Sequence, residues 1–292
     1  GGAKLSKADL TGANLTSADL NGADLTGAKL NNATLTGLDI TGANLTAADL
    51  TGATGLTGTT GIIITATTNL TSAKLVGADL TGDILTGVQM AKADLTGATL
   101  TNATLTTAAT NLAGANLTNA IMGGADLTGA TLTGAKLGGA TLTNSAKLDN
   151  ALLSKADLTG ADLSSATLTG ATLTSAKLNT ATLTGTDLTG ADLTSADLTG
   201  ATLTNVVISA TTILTSAKLI SANLSSANLN SADLTSIEMA KADLTGANLT
   251  GTTLISANLA GAKLGGANLT SANLTGGAKL SKADLTGANL TS

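Results

Sequence analysis

Leucine recurs every five residues at the start of the chain, at Leu5, Leu10, Leu15, Leu20, Leu25, Leu30 and Leu35, and Ile40, Leu45 and Leu50 carry the beat on. A small apolar residue usually stands two positions earlier, as at Ala3, Ala8, Ala13 and Ala18. Asp, Asn, Lys or Thr separates the two. Thr or Ser follows the leucine, and Gly, Ser or Asn closes the unit. A period of five fits neither regular element. An α-helix turns every 3.6 residues and would scatter these leucines around its circumference. A flat strand alternates with period two and would send successive leucines to opposite faces.

A short extended segment followed by a corner satisfies the pattern. Ala and Leu, two residues apart, then share an inward face. The residue between them looks outward, and Gly, Ser and Asn are residues that tolerate corners. Four corners close a square coil of about twenty residues, and stacked coils pair at the strand spacing of roughly 4.8 Å. Each buried leucine then contributes about 1.5–3 kcal/mol, available only once neighbouring coils cover it. Residues carrying this core are Leu20, Leu25, Leu45, Leu95, Leu127, Leu163, Leu198, Leu244 and Leu269.

The recurring A(D/N)LxX unit, seen in ADLTG and ANLTS along nearly the whole chain, resembles the pentapeptide-repeat family. That resemblance implies an all-β, right-handed, quadrilateral parallel β-helix with Leu and Ala inside, here of roughly 14 coils. Two features depart from the family. The chain has no Phe at the central position, and no helical pattern marks a capping or dimerising helix.

The beat slips in a few places. Residues 51–70 are irregular, and one- or two-residue insertions fall near 106–112, 143–148, 209–214 and 275–277. Corner bulges are the expected form, because the insertions bring no new chemistry. Residues 61–75 (GIIITATTNLTSAKL) return at 205–219 as NVVISATTILTSAKL, and MAKADLTGA at 90–98 returns at 239–247, so blocks of repeats are duplicated. With no linker or shift in composition, residues 1–292 read as a single continuous domain.

Composition removes several kinds of chemistry. His, Cys, Arg, Pro and all aromatics are absent from the 292 residues. The usual ligands for zinc, haem and iron–sulfur centres are therefore missing, as are the commonest general base and the strongest nucleophile. Base stacking and bidentate base readout are missing too, and a net charge of −5 repels phosphate. The most apolar run, GIIITA at 61–66, is far short of the roughly 20 residues a membrane span needs. No catalytic, cofactor-binding or metal-binding residue is expected, and no nucleic-acid, membrane or small-molecule partner.

Residues twenty apart should stack in columns. Asp9, Lys29 and Asp49 alternate in sign, as do Asp157, Lys177 and Asp197. Lys218 should neighbour Glu238, and Asp243 should neighbour Lys263, while Asp19 over Asp39 is a like-charge pair. Asn228, Asn248 and Asn268 could form an amide ladder. Solvated walls with paired charges are the expected result, each pair contributing about 0.2–1 kcal/mol. The family resemblance also implies a soluble interaction module, including the DNA-mimicking topoisomerase binders, but fourteen lysines interleaved with nineteen acids give a weak field. A Thr-ladder ice-binding surface is a further alternative. Of nine TLT triplets, those centred on Leu183 and Leu203 are the pair in phase.

Residues 1–17 and 276–292 are identical. Coils built from Leu5, Leu10 and Leu15 at one end and Leu280, Leu285 and Leu290 at the other present unpaired edges, an invitation to strand addition. The expectation is a non-enzymatic structural protein that partners itself head-to-tail as a filament, or a segment of a longer array, in an extracellular or cell-surface setting. The narrow alphabet also fits an idealised sequence.

Overall fold

The computed structural model describes residues 2–56 and 64–291. Backbone contacts divide the chain into two compact units, Gly1–Leu142 and Thr143–Ser292. Both obey one local rule, visible in the five N–H groups of residues 23–27. Ala23 N–H closes the preceding turn on Leu20 C=O at 2.9 Å. Asp24 N–H goes to Ala3 C=O on one neighbouring coil at 2.9 Å, and Leu25 N–H to Asn44 C=O on the other at 2.8 Å. Gly27 N–H meets Thr46 C=O at 2.8 Å. The fifth, Thr26 N–H, is taken by a side chain, the Asp24 Oδ1, at 3.0 Å. Every donor of the unit is accounted for without a long strand.

Coil-to-coil pairing therefore takes the form of single-residue parallel bridges, such as Lys4 with Asp24 and Asp9 with Lys29, rather than continuous strands. The cause is the five-residue unit itself, since a turn follows each pairing after two residues. In that turn the last residue of the unit has positive φ. Gly fills the position without strain, but Lys7 (φ 59°), Ala47 (φ 58°) and Thr180 (φ 56°) also occupy it.

Leu25, Leu45, Leu95, Leu127, Leu163, Leu198, Leu244 and Leu269 are all at most 1% exposed. Leu20, in the first coil, is half-buried. Ala alternates with Leu on the inner face. At Thr68, Thr110, Thr186, Thr212 and Thr252 a threonine takes the alanine's place and is buried.

Insertions shift the bridge register without destroying it. Across the irregular stretch Asn44 pairs with Asn69 and Asp49 with Lys74, a displacement of one whole pentapeptide. Across 106–112 Gln89 pairs with Asn111, two residues beyond the regular spacing. Across 209–214 Asp192 pairs with Ile213, and near 275–277 Asn258 pairs with Lys279, one residue beyond it. Residues 57–63 of the irregular stretch lie outside the described residues. At three of these slips a buried threonine sits beside the extra residues. Thr212 Oγ1 donates to Leu188 C=O at 2.8 Å and accepts from Ser209 N–H at 3.1 Å. Thr68 repeats this with Ile40 C=O and Thr65 N–H, both at 3.1 Å. Thr110 accepts from Gly87 N–H at 2.7 Å and donates to Thr106 C=O at 2.6 Å. The local device is the same in TATT (65–68) and SATT (209–212). Among the described residues there is no helix, and none long and apolar enough to cross a membrane.

Candidate interaction surface

Of the five positions in a unit, two are committed to the core and two to the turn. The outward residue before each leucine is left to vary, and stacking arranges these residues in columns. One column of the first unit runs Asp9, Lys29, Asp49, Lys74, Asp94, Asn116, Lys136. One column of the second runs Asp157, Lys177, Asp197, Lys218, Glu238, Asn258, Lys279. Both read acid, lysine, acid, lysine, acid, asparagine, lysine. Reading every twentieth residue finds the first three members of each. It misses Lys74 above Asp49, because a whole pentapeptide is skipped between them.

Neighbouring charges in these columns form ion pairs with exposed lysines. Lys29 Nζ lies 3.6 Å from Asp9 Oδ2, Lys74 Nζ 3.2 Å from Asp49 Oδ2 and Lys177 Nζ 3.8 Å from Asp157 Oδ2. The asparagine behaves alike in both columns. Asn116 Nδ2 donates to Asp94 Oδ1 at 3.2 Å, and Asn258 Nδ2 to Glu238 Oε2 at 2.7 Å. Outside these columns, Lys263 Nζ stands 3.5 Å from Asp243 Oδ2, and Asp19 bridges to Asp39 as a like-charge pair.

The outward carboxylates also have a structural task that the sequence pattern did not disclose. An Asp or Asn two positions before Thr or Ser typically accepts that residue's N–H, and the hydroxyl donates to the same oxygen. Thr245 does so to Asp243 Oδ1 at 3.0 Å (N–H) and 2.6 Å (Oγ1). Hydrogen bonds from Thr26 and Thr286 accordingly hold the Asp24 and Asp284 carboxyls below the usual range. At Asp49 and Asp197 partial burial opposes the charge. Bonds from Thr51 and Thr199, with Lys74 and Lys218 nearby, still bring both carboxyls down.

The amide residues are more scattered than a continuous ladder. Asn248 Nδ2 reaches Asn228 Oδ1 at 3.3 Å, whereas Asn268 Nδ2 turns to Thr250 Oγ1 at 3.0 Å and Asn289 Nδ2 reaches Asn268 Oδ1 at 3.3 Å. Thr182 bridges to Thr202, so the in-phase TLT pair is adjacent, but Asp162 below and Asn223 above end it. A cleft of about 290 Å³ near the 209–214 insertion is lined by Thr215, Ser216, Asp233, Thr235 and Ser236. Among the described residues, no three Asp or Glu side chains cluster as metal ligands.

The leucines of the outer coils, Leu5, Leu10, Leu15, Leu280 and Leu285, are half-buried, and Leu290 is 52% exposed. Those in the interior of each stack are covered.

A chain of five-residue units with Leu and Ala inside, bridged in parallel from coil to coil, is a β-solenoid of pentapeptide type. The family model for pentapeptide repeats matches in overlapping segments, at residues 1–32, 18–54, 68–102, 110–145, 146–185, 173–209, 212–251, 237–276 and 254–292. This chain belongs to the pentapeptide-repeat family. Among solved structures it is similar to HetL, a pentapeptide repeat protein involved in heterocyst differentiation regulation in the cyanobacterium Nostoc sp. strain PCC 7120. The identity is 35%, covering 76% of this chain and 86% of that one, with a TM-score of 0.39. A pentapeptide repeat protein of the Arabidopsis thaliana thylakoid lumen is 30% identical over 41% of this chain and 70% of its own, with a TM-score of 0.29. QnrB1, a plasmid-mediated fluoroquinolone resistance protein, is 17% identical over 74% of this chain and 89% of its own, with a TM-score of 0.30. A comparison with curated protein sequences gives no match.

Proposed function

We propose that this chain is a non-enzymatic scaffold, a right-handed four-sided solenoid whose outward columns engage protein partners. The two columns of identical charge order carry this reading. Four turns fall within each twenty-residue register period, which supports four walls. Core and turn chemistry fix the other positions, so surface identity resides in the outward residue. Alternation of sign leaves these columns nearly neutral, which favours a protein surface over a phosphate-like one. A pull-down with the intact chain, compared with a variant carrying Glu at Lys29, Lys74, Lys177 and Lys218, tests it. A discrete protein retained by the intact chain and lost by the variant, with an unchanged far-UV circular dichroism spectrum, is expected. Retention of nothing, or equal retention by both, refutes it.

A second reading, coil-on-coil addition between copies, draws on the incompletely covered leucines Leu5, Leu10, Leu15, Leu280, Leu285 and Leu290. Covering them with a further coil removes apolar surface and pairs open edges. Electron microscopy tests it: filaments are expected, and short monodisperse rods at high concentration refute it.

A further inference from the structure

The charge order of the two columns has a symmetry that solvation does not require. Read forwards, the first six rungs of one column are Asp9, Lys29, Asp49, Lys74, Asp94, Asn116. Laid against its own reverse, the series places Asp9 opposite Asn116, Lys29 opposite Asp94 and Asp49 opposite Lys74, and the same three pairs recur in the other half. Over these six rungs no like charges meet, and the seventh rung, Lys136 or Lys279, lies beyond the overlap. The series from Asp157 to Asn258 has the same property, and because both carry the same order of signs, either can face either.

We propose that these columns form a docking surface for a second copy of this chain, two walls meeting face to face with their coils running in opposite directions. This rests on the outward columns being the working surface. It goes further by naming the occupant and the arrangement, an isologous two-fold contact.

Three observations support it besides the order of signs. First, the phase survives the register slips. A pentapeptide is skipped between Asp49 and Lys74 and one residue is added between Asp197 and Lys218, yet acid and lysine still alternate from Asp9 to Asp94 and from Asp157 to Glu238. Both copies share one rung spacing, so the match persists across six rungs. Second, lysine at the outward position forgoes a hydrogen bond. Asp and Asn offer an oxygen to the N–H two residues on, and lysine has none to give. Four of the nine outward lysines nevertheless fall within these two six-rung series (Lys29, Lys74, Lys177 and Lys218). Third, the existing pairs are available for exchange. Lys29 and Lys177 are 63% and 65% exposed in their side chains, and their contacts, at 3.6 and 3.8 Å, are long. Threonines tied back onto their carboxylates keep the wall low, so lysine arms are the first groups a partner meets.

Sedimentation velocity of the full chain tests the proposal. At about 10 mM salt the chain is expected to sediment at twice its monomer mass. At about 1 M, where the Debye length shrinks from roughly 30 to 3 Å, it should return to monomer. Replacing Lys74→Glu and Lys218→Glu sets acid against acid at the centre of each series and should leave monomer at low salt. Exchanging the central pairs, Asp49→Lys with Lys74→Asp and Asp197→Lys with Lys218→Asp, keeps the antiparallel match and should restore the dimer. If the walls instead run parallel with a one-rung stagger, Asp49→Lys in the same exchange sets a second cation against Lys29, so monomer there overturns the two-fold arrangement. A wild-type chain that stays monomeric at low salt also overturns the proposal, as does association that persists in the Lys74→Glu, Lys218→Glu chain. A monomer that still captures another protein through its walls defeats this proposal and leaves the scaffold reading standing.

Discussion

Thr212→Val isolates what closes the insertion at 209–214. Thr212 is 3% exposed, and its hydroxyl joins Leu188 C=O to Ser209 N–H. Valine keeps the shape, so no cavity term enters. Leu188 C=O retains the Ala191 N–H at 3.0 Å and loses a second donor, at about 1 kcal/mol. Ser209 N–H loses its acceptor in a half-buried setting, which adds about 1 kcal/mol more, the lower end for an unpaired group. The sum is about 2 kcal/mol. Thr186→Val is the internal reference. Its hydroxyl makes one bond, to Leu163 C=O at 2.9 Å, and removing it should cost about 1 kcal/mol. Both residues lie in the unit Thr143–Ser292, so one transition reports both. Urea unfolding followed by far-UV circular dichroism is the assay, since a chain with no aromatics gives no intrinsic fluorescence. If Thr212→Val unfolds at the wild-type midpoint, or no earlier than Thr186→Val, the hydroxyl is not what stabilises the insertion.

Four further outcomes are expected. Leu163→Ala should cost about 3–5 kcal/mol in the same assay, because rigid coils cannot collapse onto the void, while Leu285→Ala, only half-buried, should cost less than half as much. Thr180→Gly should raise the unfolding midpoint by the equivalent of about 1 kcal/mol, since a β-branched residue at φ 56° is relieved. Stability should be flat above about pH 5 and fall as pH drops through the lowered carboxyls of Asp24, Asp39, Asp243 and Asp284, whose charged forms the fold favours over the unfolded value near 3.9. Thr245→Val should move the Asp243 carboxyl back toward that value, measured by an NMR titration, because the Thr245 hydroxyl is its principal stabiliser.

The inward positions were legible in the sequence because Leu and Ala have one role and recur on a fixed beat. Corners were legible where Gly filled them. Lys7, Lys92 and Lys241 at the same corners look like surface charges in the sequence, and their positive φ emerges only from the turn they occupy. The tie from Thr26 to Asp24 was hidden for a related reason: an outward Asp reads as solvated whether or not it caps a neighbour. Buried Thr68, Thr110 and Thr212 were hidden among dozens of exposed threonines. The long charge columns were half visible, since a count of twenty finds Lys29 above Asp9 but cannot know that the chain skips five residues before Lys74.

That skip explains why the solenoid tolerates irregularity and why its surface can still hold a pattern. Each unit closes its own turn, through the Ala N–H and the Leu C=O three residues back, so an inserted residue disturbs one corner and the next unit starts afresh. Stability is then a local sum, and nothing in the core obliges an insertion to restore any particular partner to any particular outward side chain. Insertions of one and two residues leave the next outward residue in its column, as the pairs Asp192 with Ile213 and Gln89 with Asn111 show. Skipping five residues between Asp49 and Lys74 returns lysine above aspartate, and adding two between Asp94 and Asn116 returns an amide to a carboxylate. Since packing is indifferent to that outcome, the alternation from Asp9 to Asp94 belongs to the surface, and the wall it marks is where a change of charge should alter association before it alters folding.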